Sequence, residues 1–249
     1  MRLRAIAFLL ASMALGAMGA EIRVLCAGAV KSAFSEAAKA FEAKGGDTIR
    51  ATFAPAGEIR KRLADGERYD LVLAAGENLD DFAAAGWIDP GSRQDVGAVG
   101  IGVAVKAGAP RPDISTPEAL KKALLDARTV TYMDPTRGTS GKHVDEVVLP
   151  KLGIRDAVRA KTTLGEGGFI AEKVARGEAD IVLHQMTEML PVQGIAILGP
   201  LPGDLQKTTV YAAALAKDPP HAADARRLLA HLASPATRAL FVARGFAAP

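Results

Sequence analysis

Short apolar runs alternate along the chain with stretches whose apolar residues recur at helical spacing, and this alternation constrains the fold more than any other feature. The run Asp70–Ala74 is almost continuously apolar, which is typical of a strand covered on both faces of a parallel sheet. The predicted strands are Ile22–Ala27, Ile49–Phe53, Asp70–Ala74, Val96–Val105, Thr129–Met133, Ala179–His184, Ile195–Leu198 and Lys207–Leu215. Strands that alternate with helices indicate an α/β fold with parallel sheets.

The predicted elements fall into two series, which separate near residues 100–110 and rejoin near residues 207–216. We therefore predict two lobes, each a mostly parallel sheet flanked by helices, with a ligand cleft between them. Residues 21–104 and 210–249 form the predicted first lobe, and residues 105–209 form the second. A single doubly wound domain is the alternative.

The first twenty residues have the layout of a secretory signal peptide. Arg2 and Arg4 precede the apolar run Ala5–Leu15, and small residues follow it up to Ala20. This run is shorter than the roughly 20 residues that a membrane-spanning helix needs. We predict that residues 1–20 are a signal peptide and that the mature protein is periplasmic. A buried N-terminal helix is the alternative.

Charge, cysteine and histidine content narrow the classes of partner. Loss of the two signal-peptide arginines reduces the formal net charge from +3 to +1, which gives no electrostatic reason to expect nucleic acid as a partner. The single cysteine, Cys26, is predicted to be a buried thiol. The histidines at 143, 184, 221 and 231 do not pair at metal-ligand spacing. We therefore expect no metal and no cofactor.

The loop Asp134–Gly141 is the strongest candidate for a binding site, because ligands of open α/β sheets lie at the carboxyl ends of strands. Gly138 allows close backbone approach, Thr139 and Ser140 supply hydroxyls, and the helix start supplies free N–H groups that favour an anion. Arg137 could pair with a ligand carboxylate. The alternatives are an ordinary turn capped by Ser140 and an arginine that is only solvated.

Four further strand-to-helix loops are candidates, each with plain turn or connector chemistry as its alternative. They are Ala27–Lys31, Ala54–Glu58, Gly165–Gly168 and the pair His184-Gln185, where the histidine could bind an anion, move a proton or be purely structural. The predicted ligand-binding residues in these loops are Gly28, Ala29, Ala56, Gly57, Gly168, His184 and Gln185.

The order of these loops resembles the molybdate-binding periplasmic protein family, which belongs to the solute-binding proteins of ABC transporters. The stretches that carry the likeness are Ile22–Phe41, Thr52–Ala54, Tyr69–Ala75, Asp134-Pro135 with Gly141, and Phe241–Phe246. The resemblance implies a two-lobed monomer that binds a small anion and whose candidate partner is the membrane permease of an ABC transporter. Ala29, Pro55-Ala56-Gly57 and Leu183 stand where that family has hydroxyl residues, so molybdate is not the expected ligand.

Three stretches are similar to bacterial aconitate isomerase and its relatives: Gly108–Ser115, Arg176–Ala179 and Gln206–Tyr211. This resemblance implies a small polycarboxylate as ligand and admits an enzyme that removes a proton from one carbon and returns it at another. Candidate bases for that step are His184, Glu58 and Glu166. The first hypothesis is a periplasmic binding protein for an organic anion, with no catalytic residue, and the alternative is an isomerase of the aconitate isomerase type.

Overall fold

The computed structural model describes residues 19–45 and 47–248. The predicted signal peptide lies outside the described residues, except for Gly19 and Ala20. Within the described residues, no helix has the length and apolar character to cross a membrane.

Eight strands form the framework of the molecule. They are β1 (Glu21–Ala27), β2 (Thr48–Ala54), β3 (Leu71–Ala75), β4 (Gln94–Lys106), β5 (Val130–Tyr132), β6 (Ile181–Gln185), β7 (Ile195–Pro200) and β8 (Thr208–Leu215). The first sheet has the order β2-β1-β3-β8-β4, and the second is built from β5, β6, β7 and the other half of β4. We call the parts built on these two sheets the first and second lobes.

Eleven helical segments flank the sheets within the described residues. They are α1 (Lys31–Gly45), α2 (Ala56–Ala64), α3 (Gly76–Ala84), α4 (Pro117–Asp126), α5 (Thr139–His143), α6 (Leu149–Lys151), α7 (Arg155–Arg159), α8 (Glu172–Arg176), α9 (Met186–Met189), α10 (Ala222–Leu232) and α11 (Pro235–Ala243). A π-helical segment, Val144–Val148, joins α5 to α6. A turn precedes α8, which begins at Glu172.

Strand β4 belongs to both sheets, and its pairing changes in the middle. Gln94–Gly100 pairs antiparallel with β8, whereas Ile101–Val105 pairs antiparallel with β6. The sheets are therefore more mixed than predicted, because a chain that leaves along β4 and returns along β8 must run in opposite directions. Parallel pairing joins β1 to β2, β1 to β3, and β5 to β6. The predicted lobe limits, 21–104 with 210–249 and 105–209, stay predictions.

The side chain of Gln206 hydrogen-bonds to the backbone of β4 at the residue where β4 changes its pairing partner. The N–H of Ile101 donates to Oε1 of Gln206 over 2.9 Å, and Nε2 of Gln206 donates to the carbonyl oxygen of Ile101 over 2.9 Å. A Cβ atom at Gly100 would lie 3.0 Å from Nε2 of Gln206, so a glycine there lets the amide approach. One side chain thus supplies the two hydrogen bonds that a neighbouring strand would otherwise make.

Apolar side chains cover both faces of each sheet. In the first lobe, Phe34 and Phe41 of α1 pack with α10 and α11 on one face, and Leu79 and Phe82 of α3 pack on the other. In the second lobe, one cluster contains Leu120 of α4 and a smaller one contains Val174 of α8. The two-lobed α/β fold predicted from the sequence is confirmed. Cys26 is buried and free, as predicted, and burial raises the pKa of its thiol.

Candidate functional site

A cavity of about 130 Å³ lies between the lobes, where several strands end. Its walls include Ala27 at the end of β1, Ala54 at the end of β2, Ala75 at the end of β3 and Gln185 at the end of β6. These strand ends meet here because each lobe directs the carboxyl ends of its parallel strands toward the cleft. The predicted ligand-binding residues that line this cavity are Gly28, Ala29, Ala56, Gly138, Thr139, Ser140, Gly168, His184 and Gln185.

Gly57 and Arg137, the other two predicted ligand-binding residues, line a neighbouring open groove of about 800 Å³ instead. The N–H of Gly57 donates to the carbonyl oxygen of Arg137 over 3.0 Å, so these residues join the lobes through their backbones. A Cβ atom at Gly57 would lie 3.1 Å from the carbonyl oxygen of Thr136. These positions favour a role in holding the lobes together. Ligand contact by any of the predicted residues stays a prediction.

Helix starts converge on the cavity without side-chain caps. The residues that precede these helical segments are Ala27, Pro55, Ala75, Gly138 and Gln185, and none provides a side-chain capping bond. Away from the cavity, Thr116 and Ser234 cap α4 and α11, whereas α7, α8 and α10 also begin without a side-chain cap. Uncapped first turns leave backbone N–H groups and a partial positive charge for a ligand. This arrangement favours an anion.

Ser140 does not cap α5, which corrects one of the two interpretations of its loop. The N-cap is Gly138, and the hydroxyl of Ser140 lies 3.2 Å from Nδ1 of His184. Ser140 is 3% exposed and His184 is 1% exposed. The hydroxyl therefore holds the imidazole at the cavity wall and has no part in starting the helix.

His184 lies on β6 itself, and a carboxylate lies close to its other nitrogen. Nε2 of His184 is 3.3 Å from Oε2 of Glu188, which is one helical turn further along the chain on α9. The distance is that of an ion pair, yet the contact does not have hydrogen-bond geometry, so Nε2 has no hydrogen-bond partner among the described residues. A buried nitrogen without a hydrogen-bond partner needs an explanation, and a bound ligand or a role in proton transfer supplies one at the wall of this cavity.

Tyr211 and Gln185 complete the buried polar part of the cavity wall. Nε2 of Gln185 donates to the hydroxyl oxygen of Tyr211 over 3.3 Å, while Oε1 of Gln185 has no partner among the described residues. Burial raises the pKa of the Tyr211 phenol, and the negative charge of Glu188 adds to this effect. The phenol is therefore neutral at physiological pH and can act as a hydrogen-bond donor.

Lys31 brings a positive charge to the cavity. Among the described residues, it is the only lysine or arginine in the cavity wall. Its Nζ lies 5.8 Å from the ring centre of Phe53 in the first lobe and 5.1 Å from that of Phe169 in the second. These cation–π contacts connect the lobes and hold the charge beside the cavity.

Two of the three candidate bases do not reach this cavity. Oε1 of Glu58 pairs with Nε of Arg62 over 2.9 Å within α2, and Glu166 is exposed in its loop. Neither residue lines the cavity, whereas His184 does. Within the described residues, no group of three or more His, Cys, Asp or Glu side chains could hold a metal ion.

Four polar residues of the cavity wall were not among the ligand-binding residues predicted from the sequence: Lys31, Asn78, Glu188 and Tyr211. Lys31 is the last residue of the loop Ala27–Lys31, which was already a candidate site. Asn78 follows β3, and the same strand-end rule would have found it. Glu188 lies four residues after His184, but the two residues are on different elements, β6 and α9, so no single periodicity relates them. No sequence signal indicated that Tyr211 on the return strand would reach the cavity.

Two lobes joined by β4 and the return into β8, with an anion-favouring cavity between them, define the class of two-lobed solute-binding proteins. The chain matches the family of bacterial extracellular solute-binding proteins over residues 22–247, and it belongs to that family.

Sequence and structural relatives agree with this family. The chain is 36% identical over 218 residues to an aconitate isomerase of a Pseudomonas species, covering 86% of this chain and 82% of that protein. Its structure resembles the periplasmic molybdate-binding protein of Azotobacter vinelandii, with a TM-score of 0.78, 20% identity, and coverage of 92% and 100% of the two chains. It also resembles the sulfate-binding protein SubI of Mycobacterium tuberculosis, with a TM-score of 0.76, 16% identity, and coverage of 91% and 86%.

Proposed function

We propose that the protein closes around a small organic polycarboxylate and moves a proton between two of its carbon atoms, as an isomerase of the aconitate isomerase type. The observation that carries this proposal is the buried imidazole of His184, which faces an anion-favouring cavity and is held between Ser140 and a carboxylate. A protein that only holds an anion has no need of a buried acid–base group in its cavity wall. The similarity to an aconitate isomerase supports the same reaction.

The cavity suits the charge of a polycarboxylate. The uncapped helix starts and Lys31 attract carboxylate groups. Ala29, Ala56 and Gly57 supply no hydroxyl to replace the hydration shell of an inorganic oxyanion. We therefore expect dicarboxylates or tricarboxylates to bind at least tenfold more tightly than molybdate, a difference of about 1.4 kcal/mol. A thermal-shift series across these ligands measures the order, and nanomolar molybdate binding would reverse it.

Proton NMR in heavy water tests the proposed reaction. Purified protein is mixed with cis- or trans-aconitate, and the expected result is interconversion of the isomers with deuterium uptake at carbon. The His184→Gln variant should lose this activity, because it has no titratable ring. His143→Gln is the matched control, since His143 lies outside this cavity and bonds the carbonyl oxygen of Leu205 over 2.9 Å.

A second candidate function is ligand delivery to an ABC transporter, which membership of the solute-binding family favours. In that case the protein binds the organic anion tightly and releases it unchanged to a membrane permease. The same NMR samples separate the two functions, because tight binding without deuterium uptake over hours leaves only the carrier.

Both functions are proposed for the periplasm. The proposal rests on the signal-peptide layout of residues 1–20 and on the family of extracellular proteins. Mass spectrometry of a periplasmic extract should find an N-terminus between Gly19 and Arg23. A cytoplasmic product that retains Met1 would contradict this location.

A further inference from the structure

We infer that Glu188 is the group that takes the carbon-bound proton, that His184 positions it, and that Gly28 is the residue that makes room for its carboxylate. This assignment rests on the proposed isomerase function and adds a catalytic residue that the sequence motifs did not indicate.

The carboxylate of Glu188 is buried and faces the cavity, and its nearest charged or titratable neighbour is the imidazole of His184, at 3.3 Å. Glu188 is 6% exposed and is the only aspartate or glutamate in the cavity wall among the described residues. Within the same residues, no side chain or backbone N–H donates a hydrogen bond to it. Acidic groups are rarely buried without a partner, and an anion-favouring cavity is an unfavourable place for one that serves only stability. A catalytic base, however, must be in this position.

Gly28 of the first lobe lies directly against the carboxylate of Glu188. A Cβ atom at Gly28 would lie 2.6 Å from Oε1 of Glu188, so any other amino acid at position 28 would require the end of the Glu188 side chain to move. Gly28 is not among the glycines with positive φ, so its backbone conformation does not require glycine. The absence of a side chain at position 28 is therefore explained by the contact between the lobes. Glu188 reaches across the cleft to the start of the first helical segment.

The imidazole of His184 is placed to position this base and to exchange protons with it. Ser140 occupies Nδ1, and Nε2 faces Oε2 of Glu188. With its hydroxyl donating to Nδ1, Ser140 favours the tautomer that carries its proton on Nε2, the nitrogen that lies 3.3 Å from the carboxylate without hydrogen-bond geometry. Both residues line the cavity, and Glu188 is 6% exposed against 1% for His184, so the carboxylate is the more accessible of the two groups. His184 is accordingly a positioning residue, and Glu188 is the catalytic one.

The reaction balances without an oxidant or a metal. Glu188 takes a proton from the carbon next to a carbon–carbon double bond, and the pair of electrons from that C–H bond forms a new double bond. The electrons of the old double bond then take a proton at its far carbon, returned by the Glu188 carboxyl group. The positive ends of the helices and Lys31 stabilise the negative charge that spreads onto the ligand carboxylates between the two steps.

Glu188→Gln tests the assignment, because glutamine keeps the size of the side chain and removes its basicity. We expect deuterium uptake and isomerisation of aconitate to fall at least 100-fold, in line with the usual contribution of a general base. Calorimetry should find aconitate affinity unchanged or tighter, since a like charge has been removed. The control is Glu172→Gln, which alters an exposed acid on α8 outside the cavity and should leave both quantities unchanged.

Gly28→Ala tests the contact between the lobes independently. Alone, it should lower turnover at least tenfold, because the new methyl group displaces the carboxylate. Combined with Glu188→Ala, it should have no further effect on aconitate affinity, since the clash is gone. A structural effect of Gly28 would appear equally in both backgrounds and would overturn its role.

The outcomes distinguish this assignment from the proposed function. Turnover in Glu188→Gln within threefold of the parent protein overturns the assignment alone, and His184 is then the base. Absence of turnover and deuterium uptake in the parent protein, with aconitate bound, overturns the isomerase and the assignment together.

Discussion

The two walls of the cavity differ in chemistry. The first-lobe wall consists largely of small residues at strand ends and helix starts, such as Ala29 and Ala56, with Lys31 as its charge. The second-lobe wall carries reactive side chains, with Ser140 and His184 in contact over 3.2 Å. In the proposed function, one lobe supplies backbone groups and charge for holding an anion, while the other supplies groups that can move protons, and closure brings the two together.

The largest expected loss of ligand affinity comes from placing a negative charge on the second-lobe wall. Ser140→Asp puts a carboxylate beside the uncapped start of α5, where a ligand anion is expected to lie. Affinity for any anionic ligand should fall at least 100-fold, about 2.7 kcal/mol, by calorimetry. Ser115→Asp, an exposed position in the same lobe, is the control. Unchanged affinity in a folded Ser140→Asp protein would remove this wall from the binding site.

A buried carboxylate, Asp145, stabilises the second-lobe wall, and its replacement should have the next largest effect, on the free energy of unfolding. We call Asp145 the anchor of this wall. Asp145, in the π-helical segment after α5, accepts bonds from Tyr132 over 3.0 Å and from Arg155 over 2.7 Å, and it also pairs with Arg159. Burial opposes its ionisation, yet the bonds from the arginines and the tyrosine outweigh burial and lower its pKa. The anchor therefore holds the helix that presents Ser140.

Asp145→Asn should reduce the free energy of unfolding by about 2 kcal/mol at pH 7. A carboxyl group whose pKa is lowered by folding contributes its full stability above the unfolded pKa of about 3.9, and loses it as the pH falls through the folded value. The stability difference between variant and parent should therefore shrink below about pH 4. Denaturant unfolding at several pH values measures it. Asp126→Asn breaks only an exposed pair with Lys122 and should cost under about 0.5 kcal/mol.

The first-lobe wall is tested by removing its charge, with a smaller expected effect. Lys31→Met should weaken polycarboxylate binding about tenfold, or 1.4 kcal/mol, and make the affinity less sensitive to salt. Lys39→Met removes an exposed charge from the same helix outside the cavity and should change neither. If Lys31→Met lowered turnover but not affinity, the division of roles between the walls would be wrong.

The sequence was sufficient to predict the loops of the site, because parallel strands of one sheet must end at one edge. This rule located Gly28, Ala56 and Ser140 before any contact was known. It also located His184, which lines the cavity, but predicted that the strand ends at His184, whereas β6 continues through Gln185. Local patterns therefore found the backbone of the site with errors of a residue or two.

The residues that local patterns missed reach the cavity through long-range packing. Glu188 lies on α9, a four-residue helix too short to show periodicity. Tyr211 comes from β8, whose antiparallel pairing with β3 sets its position. Arg137 was expected at the ligand, yet the turn from Asp134 directs it to the neighbouring groove. The positions of Glu188 and Tyr211 depend on packing and strand pairing between parts of the chain that are distant in sequence, which the pattern of a single loop does not encode.

The amide of Gln206 has a consequence for how the lobes can move. Because it holds both backbone groups of Ile101, β4 is fixed lengthwise against the segment that enters β8. The connection between the lobes should then bend and twist without a change in register between β4 and the segment that enters β8. An opened cleft would return each time to the same alignment of its walls, so Glu188 of the second lobe would come back against Gly28 of the first lobe at every closure.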